Sequence, residues 1–256
     1  IIVNIKLIDT SKPLKAKEKI VRDIKKANKR GDILDRNGAL LAISMPSWSL
    51  YKNKDIVYDL DKAKENILKI IPSINEGNLE IWLKSKKNFQ YIARHLTPEI
   101  AKEVNKLGQP ALKFQMEYLR VYPLKEEFSH IVGYTGIDKN GLAGIELKYN
   151  NILNAGKNIF LTLDSRIQYK IFNILQNGIP IYKYKGAVGI VIDINTGEVL
   201  SGISIPSFNP NVYHSIKITP NQITGSNFEL GSVFKAITIA SALNENIINM
   251  KSQFDA

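Results

Sequence analysis

The chain has 256 residues, a formal net charge of +11, 44% hydrophobic and 23% charged residues, and no cysteine. This excludes a disulfide framework and any cysteine-based metal site, argues against disorder, and leaves room for one good core or two smaller ones, with two domains the natural starting point. His95, His130 and His214 form no H-x-x-x-H pair, and the chain has no Walker A loop, no G-x-G-x-x-G after a strand and no G-x-S-x-G elbow, so zinc, nucleotide and α/β-hydrolase chemistry have no support.

Residues 1–30 hold eight Lys and two Arg and carry +7 of the net charge. The stretch SKPLKAKEKIVRDIKKANKR contains no aromatic residue, unlike a nucleic-acid face, which spreads charge over a folded surface and interleaves aromatics. It reads as a solvated, helical, amphipathic lead-in, or as a juxtamembrane segment close to anionic head groups. No segment has the ~20 continuous apolar residues that span a bilayer. The opening IIVNIKLI is read as the trailing end of an anchor outside this chain. The basic segment then fits a place outside the cytoplasm, because long domains translocate largely regardless of charge.

From Arg30 to Gly156 the pattern is mixed α/β. RGDILDRNGALLAIS predicts strand, Asn37-Gly38 turn, strand. DKAKENILKIIPSI places Ala63, Ile67, Ile70 and Ile71 at a helical period stopped by Pro72. TPEIAKEVNKLG predicts a short helix with Thr97 as N-cap, Pro98 at the first position and Gly108 past the end.

A third region begins near Asn158. IFLTLDSRIQYKIFNILQNG predicts a strand, then a helix capped by Asp164 and closed by Gly178. KGAVGIVIDINTGEVLSGIS predicts a hairpin that turns at Asn195-Thr196-Gly197, with Val188, Ile190 and Ile192 on one face. After the proline-bracketed loop PSFNPN, a helix starts at about Ser232, with Val233, Phe234, Ile237, Ala240 and Leu243 on its apolar side. Helix, hairpin, loop and helix open an α/β domain whose core is not closed by Ala256.

Two Ser-x-x-Lys strings occur, Ser49/Lys52 in SWSLYK and Ser232/Lys235 in FELGSVFK. A serine hydroxyl is a weak nucleophile that needs a neighbouring base. Lysine serves as that base only where burial or adjacent positive charge lowers its pKa. On a helix, positions i and i+3 share a face, so the Ser232 hydroxyl can meet the Lys235 amine. The helix N-terminus favours a developing oxyanion, Gly231 permits close backbone approach, and Phe234 and Ile237 are expected to keep the site dry. Ser49 lies in an alternating strand pattern, where i and i+3 point to opposite faces, and its match is read as noise. Spacing alone leaves Ser232 open between nucleophile and helix N-cap.

The wider pattern adds to this. RGDILDRNG (30–38), Arg120-Val121-Tyr122-Pro123 and HIVGYTGIDKNGLAGIE (130–146) occur in that order, followed by LTLDSRIQ, GAVGIVIDINTGEVLSGISIPSFNPN and FELGSVFK. The first three resemble the signature elements of the N-terminal module of class B penicillin-binding proteins, and the rest resemble the start of their transpeptidase domain. The resemblance runs from Arg30 to about Ala242 and favours the division-specific, septal type over the elongation type. It implies a mixed α+β fold in three parts: a basic juxtamembrane segment at 1–29, a pedestal (dimerisation-type) module at 30–156, and the first part of an α/β serine transpeptidase domain, β-lactamase-like, at 157–256.

By this resemblance Ser232 is the acylated nucleophile and Lys235 its general base, cross-linking peptidoglycan stem peptides at D-Ala–D-Ala, with β-lactams acylating the same serine. It implies no metal or organic cofactor and no nucleic-acid partner. It also implies divisome membrane proteins as partners, an anchor missing from this chain, and a bacterial inner-membrane location with the catalytic part facing the periplasm.

The family's later motifs, Ser-x-Asn and Lys-Ser/Thr-Gly, do not follow Ser232 in this chain. Ser73-Ile74-Asn75 matches the first as a string, but it precedes Ser232 in the other domain and is rejected. Leu230 stands where many members have Pro, and Gln222 follows Asn221 where members often have Arg. An alternative is a non-catalytic interaction module, since the catalytic domain is incomplete here. A stand-alone β-lactamase or carboxypeptidase leaves residues 30–156 unexplained. The motifs also concentrate Arg30, Arg36 and Arg120 with Glu146. A part-buried Glu146 needs a guanidinium partner, so at least one of these arginines is expected within ~4 Å of it.

Overall fold

The computed structural model describes residues 29–254 except positions 54, 56, 216 and 217; the basic, helical reading of residues 1–29 lies almost wholly outside them. The long strand β2 (Leu40–Asn53) organises the first part. β1 (Ile33–Leu34) turns back on it, Ile33 opposite Ala42 and Leu34 opposite Leu40. The turn is the Asn37-Gly38 turn read from the sequence. Gly38 holds a φ of +86°, which glycine adopts without steric cost, and Asp35 Oδ1 accepts from the backbone N–H of Asn37 and of Ala39, each at 2.8 Å.

β3 (Phe89–Leu96) and β4 (Leu112–Val121) flank β2 antiparallel. α1 (Leu60–Ile70), α2 (Glu76–Lys84) and α3 (Pro98–Asn105) are each capped by a side chain, from Asp59, Asn75 and Thr97 respectively. Ala63, Ile67, Leu79, Leu83 and Val104 from these helices pack on Leu50, Ile92, Leu96 and Leu112 as a first core. The rejected Ser73-Ile74-Asn75 string is a helix entry, with Asn75 as its cap.

A second core surrounds the β1 end of the sheet. Here the short helices α4 (Ser129–Val132), α5 (Gly144–Lys148) and α6 (Asn150–Asn154) bring Val132 and Leu153 onto Ile33, Leu41 and Tyr122. β5 (Ile159–Phe160) adds to β1 in parallel, and Leu161 and Leu163 continue the same core. α7 (Ser165–Tyr182), capped by Asp164, then packs on the hairpin of β6 (Ala187–Ile192) and β7 (Val199–Ile205). The hairpin turn at 195–197 is as read, with Gly197 at φ +74°.

The helix end differs from the sequence reading. Gly178 does not close α7; the helix continues through Pro180 to Tyr182, and Lys183 ends it in the left-handed region at φ 53°. Gly178 lies inside because a Cβ there would collide with the ring of Tyr184, whose hydroxyl donates to the Leu175 carbonyl. On the hairpin, Gly189 faces Ile171 and Leu175 of α7. Val188, Ile190 and Ile192 therefore line the opposite face, where Ile190 and Ile192 are exposed.

Glu146, 0% exposed, joins three remote stretches. Arg30 Nε donates to its Oε2 at 2.7 Å and Arg120 Nε to its Oε1 at 2.7 Å. The expected guanidinium partner is present twice. Arg36 instead pairs with Glu198 at 3.1 Å nearer the surface. Removing one partner of a buried ion pair leaves an uncompensated buried charge. Glu146→Ala is accordingly expected to cost about 3–5 kcal/mol in urea unfolding, and Arg36→Ala no more than about 1 kcal/mol. Similar costs for the two would refute the central role given to Glu146.

Candidate active site

The route to Ser232 starts at α7. Gln168 is fully buried; its Oε1 accepts from Ser201 Oγ at 2.8 Å and Gly202 N at 3.0 Å. Its Nε2 donates to the carbonyls of Glu127 (2.6 Å) and Gly202 (3.0 Å). One side chain thus fixes α7 to β7 and to the 3-10 turn Lys125–Phe128. Beyond β7, a Nε2 nitrogen of His130 lies 3.0 Å from the Pro206 carbonyl. Asn211 clasps Tyr122, accepting from its N–H and donating to its carbonyl, both at 2.9 Å.

α8 (Gln222–Gly225) is capped by Asn221. The Gln222 backbone N–H donates to Ser204 Oγ and its side-chain amide to the Ile205 carbonyl, each at 2.9 Å. Gln222 is thus held to β7 by neutral hydrogen bonds alone.

A 3-10 turn, Gly231–Val233, then leads into α9 (Phe234–Asn244). Gly231 takes φ +53°, the left-handed conformation that glycine tolerates best. Ser232 and Lys235 stand three positions apart across this joint, a spacing that puts both on one side of a helical turn. Both are exposed. Ser232 is not an N-cap, since no side chain caps either helical piece. The expected dry surroundings are not found either, because Phe234 and Ile237 are each 55% exposed. The hydroxyl and the amine thus stand at a helix start, both open to solvent.

The other Ser-x-x-Lys resolves differently. Ser49 is buried in β2 and donates to Glu117 Oε2 at 2.9 Å, while Lys52 Nζ donates to the carbonyls of Asn53 and Ser85. They serve separate neighbours, as the strand period predicts. Glu117 also accepts from Arg94 Nη2 at 2.7 Å and from the Tyr91 hydroxyl at 2.8 Å. The sequence carried no signal for this cluster: Arg94 and Glu117 sit on the two strands flanking β2, and only the register brings them together.

An apolar cavity of about 750 Å³ lies elsewhere, between Ile190, Ile192 and Val199 of the hairpin and Ile131, Ile145 and Phe208. Neither Ser232 nor Lys235 lines it. Among the described residues, no group of three or more His, Asp or Glu side chains is placed to hold a metal ion, and no helix is long and apolar enough to cross a membrane.

Residues 25–160 match the family described as Penicillin-binding Protein dimerisation domain, and residues 187–256 the one described as Penicillin binding protein transpeptidase domain. Peptidoglycan D,D-transpeptidase FtsI of Escherichia coli (strain K12) is 28% identical over 262 residues, covering 87% of this chain and 44% of that protein. Probable peptidoglycan D,D-transpeptidase PenA of Neisseria gonorrhoeae is 31% identical over 248 residues, covering 84% of this chain and 43% of that protein. The chain thus spans less than half the length of these curated relatives.

Among solved structures, PBP2 in its complex with MreC from Helicobacter pylori aligns with a TM-score of 0.66 at 20% identity, over 88% of this chain and 53% of that one. Penicillin Binding Protein 2X from Streptococcus thermophilus aligns with 0.61 at 19% identity, over 89% and 42%. These two show a shared fold.

The Ser49 cluster has a pH consequence. Burial acts to raise the Glu117 pKa, but the bonds from Arg94, Tyr91 and Ser49 outweigh it and hold the carboxyl below its ordinary value. A depressed folded pKa gives stability that is complete above the unfolded value of about 4.3 and is lost as pH falls through the folded one. Glu117→Gln is expected to lower the thermal midpoint at pH 7 and to flatten its decline in acid. Circular-dichroism melts across the acid range decide this, and a decline as steep as that of the parent chain would assign the acid lability elsewhere.

Proposed function

The chain belongs to the penicillin-binding protein family, a dimerisation domain followed by the start of a transpeptidase domain, and on that premise we propose that the whole protein is a serine D,D-transpeptidase cross-linking peptidoglycan stem peptides. The observation that carries this reading is one of place. Ser232 and Lys235 fall inside the transpeptidase match, at the joint of a 3-10 turn and a helix.

In this mechanism Ser232 Oγ attacks the penultimate D-Ala carbonyl and gives its proton to the neutral amine of Lys235. The tetrahedral intermediate collapses, the C–N bond breaks, and the departing D-Ala amine takes up the proton. An amine of a second stem peptide then attacks the acyl-enzyme; its proton returns to Ser232 as the ester bond breaks. The backbone N–H of Ser232 forms half of the oxyanion hole, and a strand beyond these residues supplies the other donor. Lys235 is exposed here, so the rest of the domain must bury it before it can act as a base.

The same reading divides the chain into a pedestal at 30–156 and the catalytic part from 157 onward. It assigns the protein to septal wall synthesis at the bacterial inner membrane, with the catalytic part facing the periplasm and the pedestal meeting membrane proteins of the division machinery. Relatives named FtsI support the septal assignment, and a PBP2 of shared fold is known in complex with another protein, MreC.

In the whole protein, Ser232→Ala is expected to abolish labelling by a fluorescent penicillin with the circular-dichroism spectrum unchanged. Lys235→Ala should slow acylation by about 10²–10⁴-fold, and Ser49→Ala should leave the acylation rate as it was. Labelling that survives Ser232→Ala overturns the assignment.

The 256-residue chain alone tests the other reading, an interaction module without catalysis. With one oxyanion donor missing, worth about 2.7–4 kcal/mol, and Lys235 in solvent, it is expected to show no saturable penicillin adduct by mass spectrometry. A stoichiometric adduct on Ser232 would show that the first motif suffices.

A further inference from the structure

Two bare apolar surfaces are tethered to each other in this molecule. The first is the cavity of about 750 Å³. Ile190 and Ile192 line it yet remain about half exposed, so it opens to solvent. Ile131 of α4 and Ile145 of α5 belong to the same apolar wall. The second surface is α9. Its 11 residues hold one charge, Lys235, and none of them is buried. Phe234 and Ile237 stand out on one side and Ile239 on another. A helix apolar on every side belongs in an interior rather than in water.

The chain joins the two. Ile223 and Thr224 of α8 line the cavity, and only residues 226–230 separate α8 from the 3-10 turn that opens α9. A linker of that length reaches at most about 18 Å, and α9 is about 16 Å long, so the helix can fold back across the mouth without unwinding. Gly225 and Gly231 bracket the linker. Gly231 already holds φ +53°, the kind of backbone freedom that a hinge uses.

We propose that α9 is a lid for this cavity, closing about residues 226–230 with Ile237 and Ala240 seated on Ile190 and Ile192. At about 100° per residue, Ile237 stands about 160° round the helix from Lys235, and Ile239 only about 40°. The Ile239 side cannot go in, because it would take the Lys235 amine with it. Among the described residues no carboxylate lines the cavity, and Lys148 does, so that ammonium would be buried unpaired in the company of a like charge. With the Ile237 side down, Ser232 and Lys235 stay on the outer surface. Ile131 and Ile145 then share the seat with the hairpin, so α4 and α5 help to set where Ser232 stands.

The chain has no cysteine, so engineered pairs report the contact without background. Ile192→Cys with Ile237→Cys joins the faces that meet, and Ile192→Cys with Ile239→Cys is the wrong-face control. All three positions are exposed, where substitution leaves the fold in place. In the full 256-residue chain under mild oxidation, the first pair is expected to form its disulfide within one chain at least about tenfold faster than the second, because the bond needs Cβ atoms about 4 Å apart. Non-reducing electrophoresis and peptide mass spectrometry tell a bond within one chain from a bond between two. Equal rates for the two pairs, a bond only between chains (which would make a second copy the cover), or no bond at all would each overturn the proposal.

Discussion

Two guanidinium groups meet one carboxylate at the centre of this molecule, and the neighbouring structure is arranged around that meeting. Arg30 precedes β1, Arg120 lies near the end of β4, and Glu146 sits in α5. Without the carboxylate the two like charges would face each other in a low-dielectric interior, where their repulsion is far stronger than in water. With it, Arg30 also gathers the Lys139 carbonyl, Asn150 and Asn154, which seats the 135–140 turn and α6. Tyr122 closes the group; burial and then the Glu146 charge hold its hydroxyl well above the usual phenol range.

The influence of this centre reaches the serine in steps. The β1–β2 turn carries Asp35, which accepts from the backbone N–H and the hydroxyl of Ser165 at the start of α7. Asn37 in the same turn donates to Asp164, the cap of that helix. Gln168 then joins α7 to β7, and Gln222 joins α8 to β7. Each step is a polar group with its partners satisfied in a partly dry place, where hydrogen bonds are directional and costly to break. The chain of contacts thins after α8, and α9 stands in solvent.

What was legible in the sequence was local. The Asn37-Gly38 turn, the caps of α3 and α7, and the 195–197 turn depend on backbone angles and neighbouring donors, so a few residues suffice to specify them. The strand period likewise separated Ser49 from Ser232, since alternation puts Lys52 on the wrong side whatever the tertiary context. The pairing of Glu146 followed from the cost of a lone buried carboxylate, yet that cost could not choose among three arginines, and Arg36 turned out to face Glu198. Gly178 misled because its smallness serves the Tyr184 ring, a contact across a turn rather than a helix end. The dryness expected around Ser232 failed for a related reason. Phe234 and Ile237 are apolar, but apolar residues make a dry site only when something covers them.

The parallel pairing of β1 with β5 sets a timetable for synthesis. Ile33 waits for Ile159 and Arg30 for Glu146, so neither can settle until well over a hundred further residues have left the ribosome. At about 5–20 residues per second, that interval is on the order of ten seconds. During it Leu41 and Ala42 lack the cover that Val132, Leu153 and Leu161 later provide. The first core, built from residues 50–112, closes over much shorter loops and can form meanwhile. The nascent chain therefore passes through a stage with one half folded and the Arg30 end open, and a chaperone or a translocating channel that holds that end shields the surface most exposed to misassembly.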